Sequence, residues 1–240
     1  MLGMEMVLHR AHTRGAFENE WLSTSYSFSF ADWHDPKRMG FGALRVINDD
    51  SLAPASGFGM HPHRDMEIIT IVTSGTLTHK DDMGNTGTVP AGEFQVMSAG
   101  TGVVHSEYND SPDTSLTLFQ IWITSARSGI EPRYAQKPIG LRDPASPGII
   151  PLVVPDGTPQ GLPIYQDAYI SRLVIDEDHP FTYTLRSPNN GLYIFVVEGA
   201  LMAAGESLER RDALGVWDAD AVDLTAHGSA IALLIEVPMA

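Results

Sequence analysis

The stretch that decides the fold is Ile68–Leu77, which reads IITIVTSGTL. Apolar and β-branched residues lead into a Ser-Gly pair and a second β-rich run follows, which is the pattern of a strand, a tight turn and another strand. A similar stretch, Gly191–Leu201, reads GLYIFVVEGAL. Both stretches predict a pair of strands joined by a glycine turn, and their likeness indicates that one β domain occurs twice.

Two further pairs of segments repeat in the same order. Gly92–Met97 resembles Ala213–Trp217, and Ser115–Ile123 resembles Ser229–Val237. The offset between the copies falls gradually along the chain, as short deletions in surface loops would produce. We therefore predict a duplicated β domain, although unrelated β domains also share patterns of this kind.

The whole chain is punctuated by turn residues, with 22 Gly and 16 Pro. Between them lie short runs rich in Val, Ile, Leu and Thr, which are typical of strands. These runs predict an all-β protein, a sandwich or a barrel, with helical turns only near Ala11–Trp21 or Asp32–Arg38. The strand candidates are Ala43–Asn48, Glu67–Thr73, Gly92–Met97, Leu116–Thr124, Tyr169–Ile175, Leu192–Glu198 and Ala230–Val237.

The strand pattern breaks between Ser125 and Pro147, a stretch with four prolines and no alternation of apolar and polar residues. Each proline removes a backbone donor and resists a central strand. We place the crossing between domains there. The prediction is an N-terminal domain of residues 1–137 and a C-terminal domain of residues 138–240, with the boundary within 125–148.

Charge and composition exclude several classes of function. Asp and Glu total 30 against 15 Lys and Arg, a net charge of −15, which repels phosphate backbones and anionic lipid. The chain has no cysteine, which excludes disulfides, thiolate-bound zinc, iron–sulfur clusters and thiol nucleophiles. The sequence starts without an apolar signal-peptide core, and its apolar runs are too short to span a bilayer. We expect a soluble, cytoplasmic protein that binds neither nucleic acid nor membrane.

Two of the histidine patterns stand out among nine histidines: HPH at residues 61–63 and HSE at residues 105–107. In an extended chain, residues i and i+2 point to the same face. His61 and His63 can therefore aim at one point, as can His105 and Glu107. Two adjacent strands carrying these pairs would form a cage of three histidines and one carboxylate. Taken singly, each histidine is more often an ordinary hydrogen-bonded residue than a ligand.

This ligand set favours a particular kind of metal. Imidazole suits iron, copper, nickel and zinc, and the carboxylate adds a hard ligand. Four protein ligands leave two open positions on a metal that prefers six. With three neutral imidazoles and one carboxylate, a divalent ion keeps a charge of about +1 and attracts anionic chelating ligands. Such a site suits catalysis or ligand binding better than a closed structural role.

The sequence resembles the pirin family of the cupin superfamily, in particular its bacterial quercetin 2,3-dioxygenase-like members. The resemblance runs from about residue 5 to residue 137. The motifs that carry it are SFSFA (27–31), MGFGALRVIN (39–48), HPHRDMEI (61–68), HKD (79–81), SAGTGVVHSEYN (98–109), LFQIWI (118–123) and GIEPRY (129–134).

The resemblance implies a bicupin, in which two jelly-roll-like β-barrel domains pack face to face. It implies one divalent transition metal in the N-terminal domain, held by His61, His63, His105 and Glu107. The metal is expected to be iron, although copper, nickel, cobalt, manganese or zinc would also suit the site. The repeat places Leu185, Ser187, Asp223 and Thr225 opposite those ligands, so the C-terminal barrel is expected to hold no metal.

Further residues are candidates for the site. Glu107 has two possible roles, as a permanent ligand or as a general base toward a phenolic hydroxyl. Phe28, Trp33 and Phe41 are candidates for walls of a pocket for a flat aromatic ligand, although aromatics in β domains more often belong to the core. Gln120 lies within an apolar strand candidate, where a buried amide needs partners. It supports either a bound ligand or a structural hydrogen bond.

Three functions remain open from the sequence, of which the weakest is another cupin chemistry, such as isomerisation or oxidation of a small chelating acid. The first is a metal-dependent dioxygenase that opens flavonols such as quercetin with dioxygen, an activity that the resemblance implies. The second is a metal- or redox-dependent regulator that acts through a protein partner, as some pirins do. An acidic protein would favour a basic partner over DNA.

Overall fold

The computed structural model describes residues 3–139 and 146–239. This part of the chain forms one short 3₁₀ helix, Ala11–Thr13, and 22 strands. The strands of the first half are β1 (Glu5–His9), β2 (Gly15–Glu18), β3 (Leu22–Tyr26), β4 (Leu44–Leu52), β5 (Ser56–His63), β6 (Met66–Ser74), β7 (Thr76–Asp81), β8 (Thr86–Pro90), β9 (Glu93–Ser98), β10 (Val103–Asn109), β11 (Leu116–Thr124) and β12 (Arg133–Pro138). Those of the second half are β13 (Gly148–Pro155), β14 (Leu162–Ile164), β15 (Tyr169–Ile175), β16 (Phe181–Thr184), β17 (Asn190–Glu198), β18 (Leu201–Ala203), β19 (Glu206–Leu208), β20 (Ala213–Trp217), β21 (Ala221–Ala226) and β22 (Ala230–Pro238).

Each half folds into a seven-stranded sheet and a four-stranded sheet that enclose an interior. The N-terminal sheets have the orders β12-β9-β6-β11-β4-β3-β2 and β5-β10-β7-β8. The C-terminal sheets have the orders β1-β20-β17-β22-β15-β13-β14 and β16-β21-β18-β19. The strands β6, β7, β9 and β11 occupy the places that β17, β18, β20 and β22 occupy in the second half. The repeat predicted from the sequence is therefore confirmed, as is the all-β, two-cupin class.

The two domains pack through the outer faces of their seven-stranded sheets. One continuous apolar cluster contains Phe119 and Ile121 from the first sheet and Tyr193, Phe195 and Ile235 from the second. Successive side chains of β4 point to opposite faces of the sheet, so this strand contributes both to the domain interface and to the barrel interior. Ile47 faces this cluster between the domains, whereas Asn48 and Asp50 face the barrel interior.

The interiors of the two barrels differ in chemistry. The C-terminal interior is filled by hydrophobic side chains, among them Leu192, Ile194, Leu214 and Leu234. The N-terminal interior also buries a group of polar side chains, namely Thr24, Asn48, Asp50, Thr70, His79, Gln95, His105, Glu107 and Gln120. Buried polar groups without compensation are costly, so this concentration marks the N-terminal barrel as the functional one.

At the N-terminus, the strand pairing does not follow the predicted domain limits. β1 pairs with β20, for example Val7 with Gly215, so the first strand completes the C-terminal sheet. Residues 1–137 therefore include one strand that belongs to the C-terminal sheet, because β1 is hydrogen-bonded to the outer edge of β20. At the other end, β12 pairs with β9 of the N-terminal sheet. Residues 140–145, within the predicted boundary region, lie outside the described residues, and a division near residue 138 stays a proposal.

The predicted helical pieces are largely wrong. Ala11–Trp21 contains only the 3₁₀ turn and then β2, and Asp32–Arg38 forms turns. The Trp33 ring packs directly over the backbone of Gly15, where a side chain would collide with it. Among the residues described, no helix is both long and apolar enough to cross a membrane.

Candidate metal centre

The two histidine pairs meet on the neighbouring antiparallel strands β5 and β10. His61 lies opposite His105, and His63 lies opposite Val103. A bulge between His105 and Glu107 shifts the register and re-aims the side chains that follow. One potential ligand atom from each of His61, His63 and His105 lies within 4.8 Å of the others. The structure therefore brings together the three histidines that the i, i+2 spacing selects.

The hydrogen bond of His61 fixes its ring. Its Nδ1 lies 2.8 Å from the carbonyl oxygen of Gly59. A carbonyl only accepts, so Nδ1 must carry the proton and donate it. The neutral tautomer then leaves the lone pair on Nε2 free. Most metal-binding histidines are oriented in this way, by a hydrogen bond from the ring nitrogen that does not bind the metal.

His105 shows best that the pocket fits a metal ion. Its side chain is 1% exposed, and neither ring nitrogen has a hydrogen-bond partner among the described residues. Burial, and after it the neighbouring His61 and His63, lowers the pKa of His105 to about 2. Burial likewise lowers the pKa of His63 to about 4. Both rings are therefore neutral near pH 7, the form that binds metal. A bound cation would also satisfy one of the two unpartnered nitrogens of His105.

Glu107 lies beside the histidines in a cage of polar side chains. Its Oε1 accepts hydrogen bonds from Thr70 (2.9 Å) and Gln95 (2.8 Å), and its Oε2 accepts one from Gln120 (2.7 Å). Burial raises the pKa of Glu107 to about 7; the hydrogen bond from Thr70 opposes this shift, and the charge of Asp50 adds to it. The carboxyl group is therefore poised to gain or lose a proton near neutral pH.

His79 is a site residue that the histidine-pair reasoning missed. It lies opposite Glu107 on β7, and one ligand atom from each of His79, His105 and Glu107 falls within 4.8 Å of the others. His79 Nε2 contacts Asp81 at 3.2 Å. The signal was available, because His79 and Asp81 repeat the i, i+2 spacing of the two chosen pairs. The histidine trio and this second trio share His105, so Glu107 approaches the centre from the His79 side.

A row of polar side chains crosses the floor of the barrel. Cross-strand register aligns the row through five neighbouring strands, in the order Gln95, Thr70, Gln120, Asn48 and Tyr26. The first three bond to Glu107. The other end of the row extends away from Glu107, along the wall of a cavity.

This cavity has a volume of about 600 Å³ and opens to solvent. That size is within the usual range for small-molecule sites. Trp33 and Gln120, both predicted as pocket residues, line it. The lining residues are Ala16, Phe17, Leu22, Thr24, Tyr26, Phe30, Ala31, Asp32, Trp33, Asn48, Asp50, Phe58, His61, Glu107, Gln120 and Trp122.

Phe28 and Phe41 lie elsewhere, which corrects their assignment to the pocket. Both belong to the apolar cluster between the two domains. The Phe28 and Phe41 rings each lie 5.4 Å from the Tyr193 ring. Their side chains follow the outer face of the N-terminal sheet, so they hold the domains together instead of contacting a ligand.

Fold and site together define a bicupin whose N-terminal barrel carries a histidine-rich candidate metal centre. Two family models agree with this class: the Pirin model matches residues 8–123, and the "Quercetinase C-terminal cupin domain" model matches residues 152–237. The chain belongs to the pirin family.

Relatives resemble the chain over nearly its whole length. The quercetin 2,3-dioxygenase of Escherichia coli K12 is 42% identical over 231 residues, 96% of this chain and 98% of that protein. A pirin-like protein of Caulobacter vibrioides is 38% identical over 92% of this chain and 95% of that protein. The crystal structure of the E. coli pirin YhhW in complex with nickel(II) is 40% identical, with a TM-score of 0.92 over 98% of this chain and all of that one.

Proposed function

We propose that the protein is a metal-dependent dioxygenase that opens flavonols such as quercetin. The observation that carries the proposal is the convergence of His61, His63 and His105, next to the buried Glu107, at one end of an aromatic-lined cavity. The name of the E. coli relative supports the substrate class. The four-residue ligand set and the choice of iron are parts of this proposal, and the nickel complex of the E. coli pirin supports a divalent metal in the family.

A bound divalent metal supplies Lewis acidity toward a chelating hydroxyl and keto oxygen and lowers the pKa of the hydroxyl. The protein supplies the rest. His61, His63 and His105 present ring nitrogens from two hydrogen-bonded strands, which fixes their spacing. The aromatic walls, Phe30, Trp33 and Trp122, suit the faces of a flat ring system and keep water from it.

Glu107 is the proposed acceptor of the proton that leaves the flavonol hydroxyl. Burial raises the pKa of this carboxyl group, which favours proton uptake, and the group lines the cavity. Gln95 and Gln120 donate to it and so restrict its rotation. This positioning keeps one buried carboxyl group beside the place where the histidines converge.

The test is oxygen uptake by the iron-loaded protein with quercetin, after loading without oxygen. The His61→Ala variant is run beside it, and His227→Ala, an exposed histidine of the C-terminal domain, is the matched control. We expect uptake by the parent and the control and loss in His61→Ala. Absence of uptake by the parent with one metal bound per chain would overturn the proposal. It would favour the alternative of a metal-dependent regulator, which binds a partner protein without turnover.

A further inference from the structure

Near the end of the polar row that lies away from Glu107, two side chains carry hydrogen-bond acceptors that the described residues leave partly unsatisfied. Asn48 and Asp50 are alternate residues of β4, so both face the barrel interior, and both line the cavity. They are 3% and 4% exposed. Neither contacts the three histidines that converge at the other end. The charge of Asp50 adds to the raised pKa of Glu107, but neither Asn48 nor Asp50 belongs to the cluster of potential metal ligands.

Asp50 has fewer donors than a buried carboxylate requires. Thr24 donates a hydrogen bond to Asp50 Oδ1, and no other described side chain or backbone group does. The Oδ1 atom of Asn48 is buried and has no hydrogen-bond partner among the described residues. By contrast, Glu107 in the same barrel accepts three hydrogen bonds. Buried acceptors without donors are costly, and at a cavity wall they indicate that a ligand provides the donors.

Charge indicates which kind of ligand group belongs there. The guanidinium groups of Arg14 and Arg211 engage the neighbouring Asp49, on the opposite side of the strand. Asp50 forms no ion pair with them. An unpaired carboxylate repels anionic ligand groups and accepts hydrogen bonds from hydroxyls, and Asn48 adds an amide beside it. Around it, Leu22, Phe58 and Trp33 provide apolar contacts for a flat ring.

From this arrangement we infer that Asp50, assisted by Asn48, binds a hydroxyl of the flavonol other than the chelating one, and selects polyhydroxylated flavonols over those whose only hydroxyl is the chelating one, an inference that rests on the proposed function. The chelating hydroxyl and keto oxygens then occupy the histidine end of the cavity. A hydroxyl on a distant ring reaches β4. Asp50 acts as a specificity-determining residue and takes no part in oxygen chemistry.

The test compares two substrates that share the chelating pair. Quercetin carries additional ring hydroxyls, and 3-hydroxyflavone carries none. The Asp50→Asn variant preserves shape and the contact with Thr24 but removes the charge, and Asn48→Leu removes the amide. Asp110→Asn, at an exposed site outside the cavity, is the matched control. For each protein, kcat and KM are measured by oxygen uptake with both flavonols. Binding to the metal-loaded protein is measured without oxygen by quenching of Trp33 and Trp122, which line the cavity.

We expect Asp50→Asn to lose about 10- to 100-fold in kcat/KM for quercetin, the range for a hydrogen bond to a charged group. The loss should fall mainly on KM and the dissociation constant, and 3-hydroxyflavone should change less than about threefold. An equal fall with both flavonols, or no change with either, overturns the inference and leaves the dioxygenase proposal intact. If the parent binds quercetin without oxidising it and Asp50→Asn weakens that binding selectively, the recognition role stands and the dioxygenase proposal fails. If the parent binds neither flavonol, both fail.

Discussion

His61 and His105 lie directly opposite each other on β5 and β10, with their ring centroids 4.4 Å apart. Backbone hydrogen bonds between the two strands hold the two histidines in this register. Two imidazole rings this close can bind a shared cation, because imidazole nitrogens are common ligands of transition metals.

The His105→Ala variant should lose the metal. Removing one directly bound imidazole costs more than the loss of an outer contact, which is about 10- to 100-fold in affinity. We expect the metal content, measured by mass spectrometry after gel filtration, to fall from one ion per chain to near zero. His227→Ala should retain the ion. Full occupancy of His105→Ala would show that the ion sits elsewhere.

Chelation should lower the thermal stability of the parent protein. An ion present at 100 times its dissociation constant adds about 2.7 kcal/mol to the free energy of unfolding. For a domain of this size that corresponds to roughly 5–10 °C in Tm, which calorimetry with and without chelator measures. The His105→Ala variant provides the control, since its Tm should not respond to the chelator.

Replacing Gln120 by Leu should weaken metal binding through Glu107. The substitution removes the 2.7 Å hydrogen bond that holds Oε2 of Glu107. We expect a loss of about 10- to 100-fold in metal affinity, as for other residues that orient a ligand. Competition with a chelating dye measures it. Urea unfolding of the metal-free variant separates a loss of affinity from a loss of folding, and unchanged affinity would mean that Thr70 and Gln95 suffice to hold the carboxylate.

His9 should make the domain interface sensitive to acid. Burial lowers the pKa of His9 from 6.5 to about 4, and its Nδ1 pairs with the Tyr193 hydroxyl at 2.9 Å. Because the folded protein resists protonation, the stability from neutral His9 is complete above pH 6.5 and is lost progressively down to pH 4. The loss from this residue between pH 7 and pH 5 should be about 2 kcal/mol.

His9→Gln preserves a hydrogen-bonding side chain that does not titrate. Urea unfolding at pH 7 and pH 5 should show a smaller decrease in stability for His9→Gln than for the parent. Equal decreases in the two proteins would assign the acid sensitivity to other buried groups.

Gly215→Ala should destabilise the contact between domains. A methyl group there would lie 2.5 Å from Cε2 of the Phe41 ring, and one at Gly191 would lie 2.7 Å from its Cζ. The Phe41 ring thus packs directly against the backbone of two glycines. Adding a methyl group to so tightly packed a site lowers the free energy of unfolding by about 1–3 kcal/mol. Chemical denaturation measures the cost. Adding Phe41→Leu should recover part of it, whereas strictly additive losses would show that the ring is not the obstacle.

The local pattern was enough to predict most of the strands. The predicted runs Leu116–Thr124 and Tyr169–Ile175 coincide with β11 and β15. Both are central strands, where apolar content and β-branched residues agree with the final environment. Arg133–Pro138, read as linker because of its prolines, is instead the edge strand β12, a position that tolerates proline at its end.

The site was only partly predictable, because it is formed by residues that lie far apart along the chain. The i, i+2 rule chose His61 and His63 because it depends on strand geometry alone. It said nothing of Asn48 or Asp50, whose place at the cavity depends on which strands pair with β4. Phe28 and Phe41 show the converse error: both lie between β3 and β4, and nothing in the local sequence indicates that their rings pack between the two domains.

The pairing of β1 with the C-terminal sheet affects the order in which the two domains fold. Among the described strands, β1 is synthesised first and pairs with β20, one of the last. Residues 5–9 therefore wait unpaired while the N-terminal barrel takes shape, and synthesis of the second half must be nearly complete before they find their partner. A nascent chain that stops short of β20 therefore leaves β1 without its partner strand.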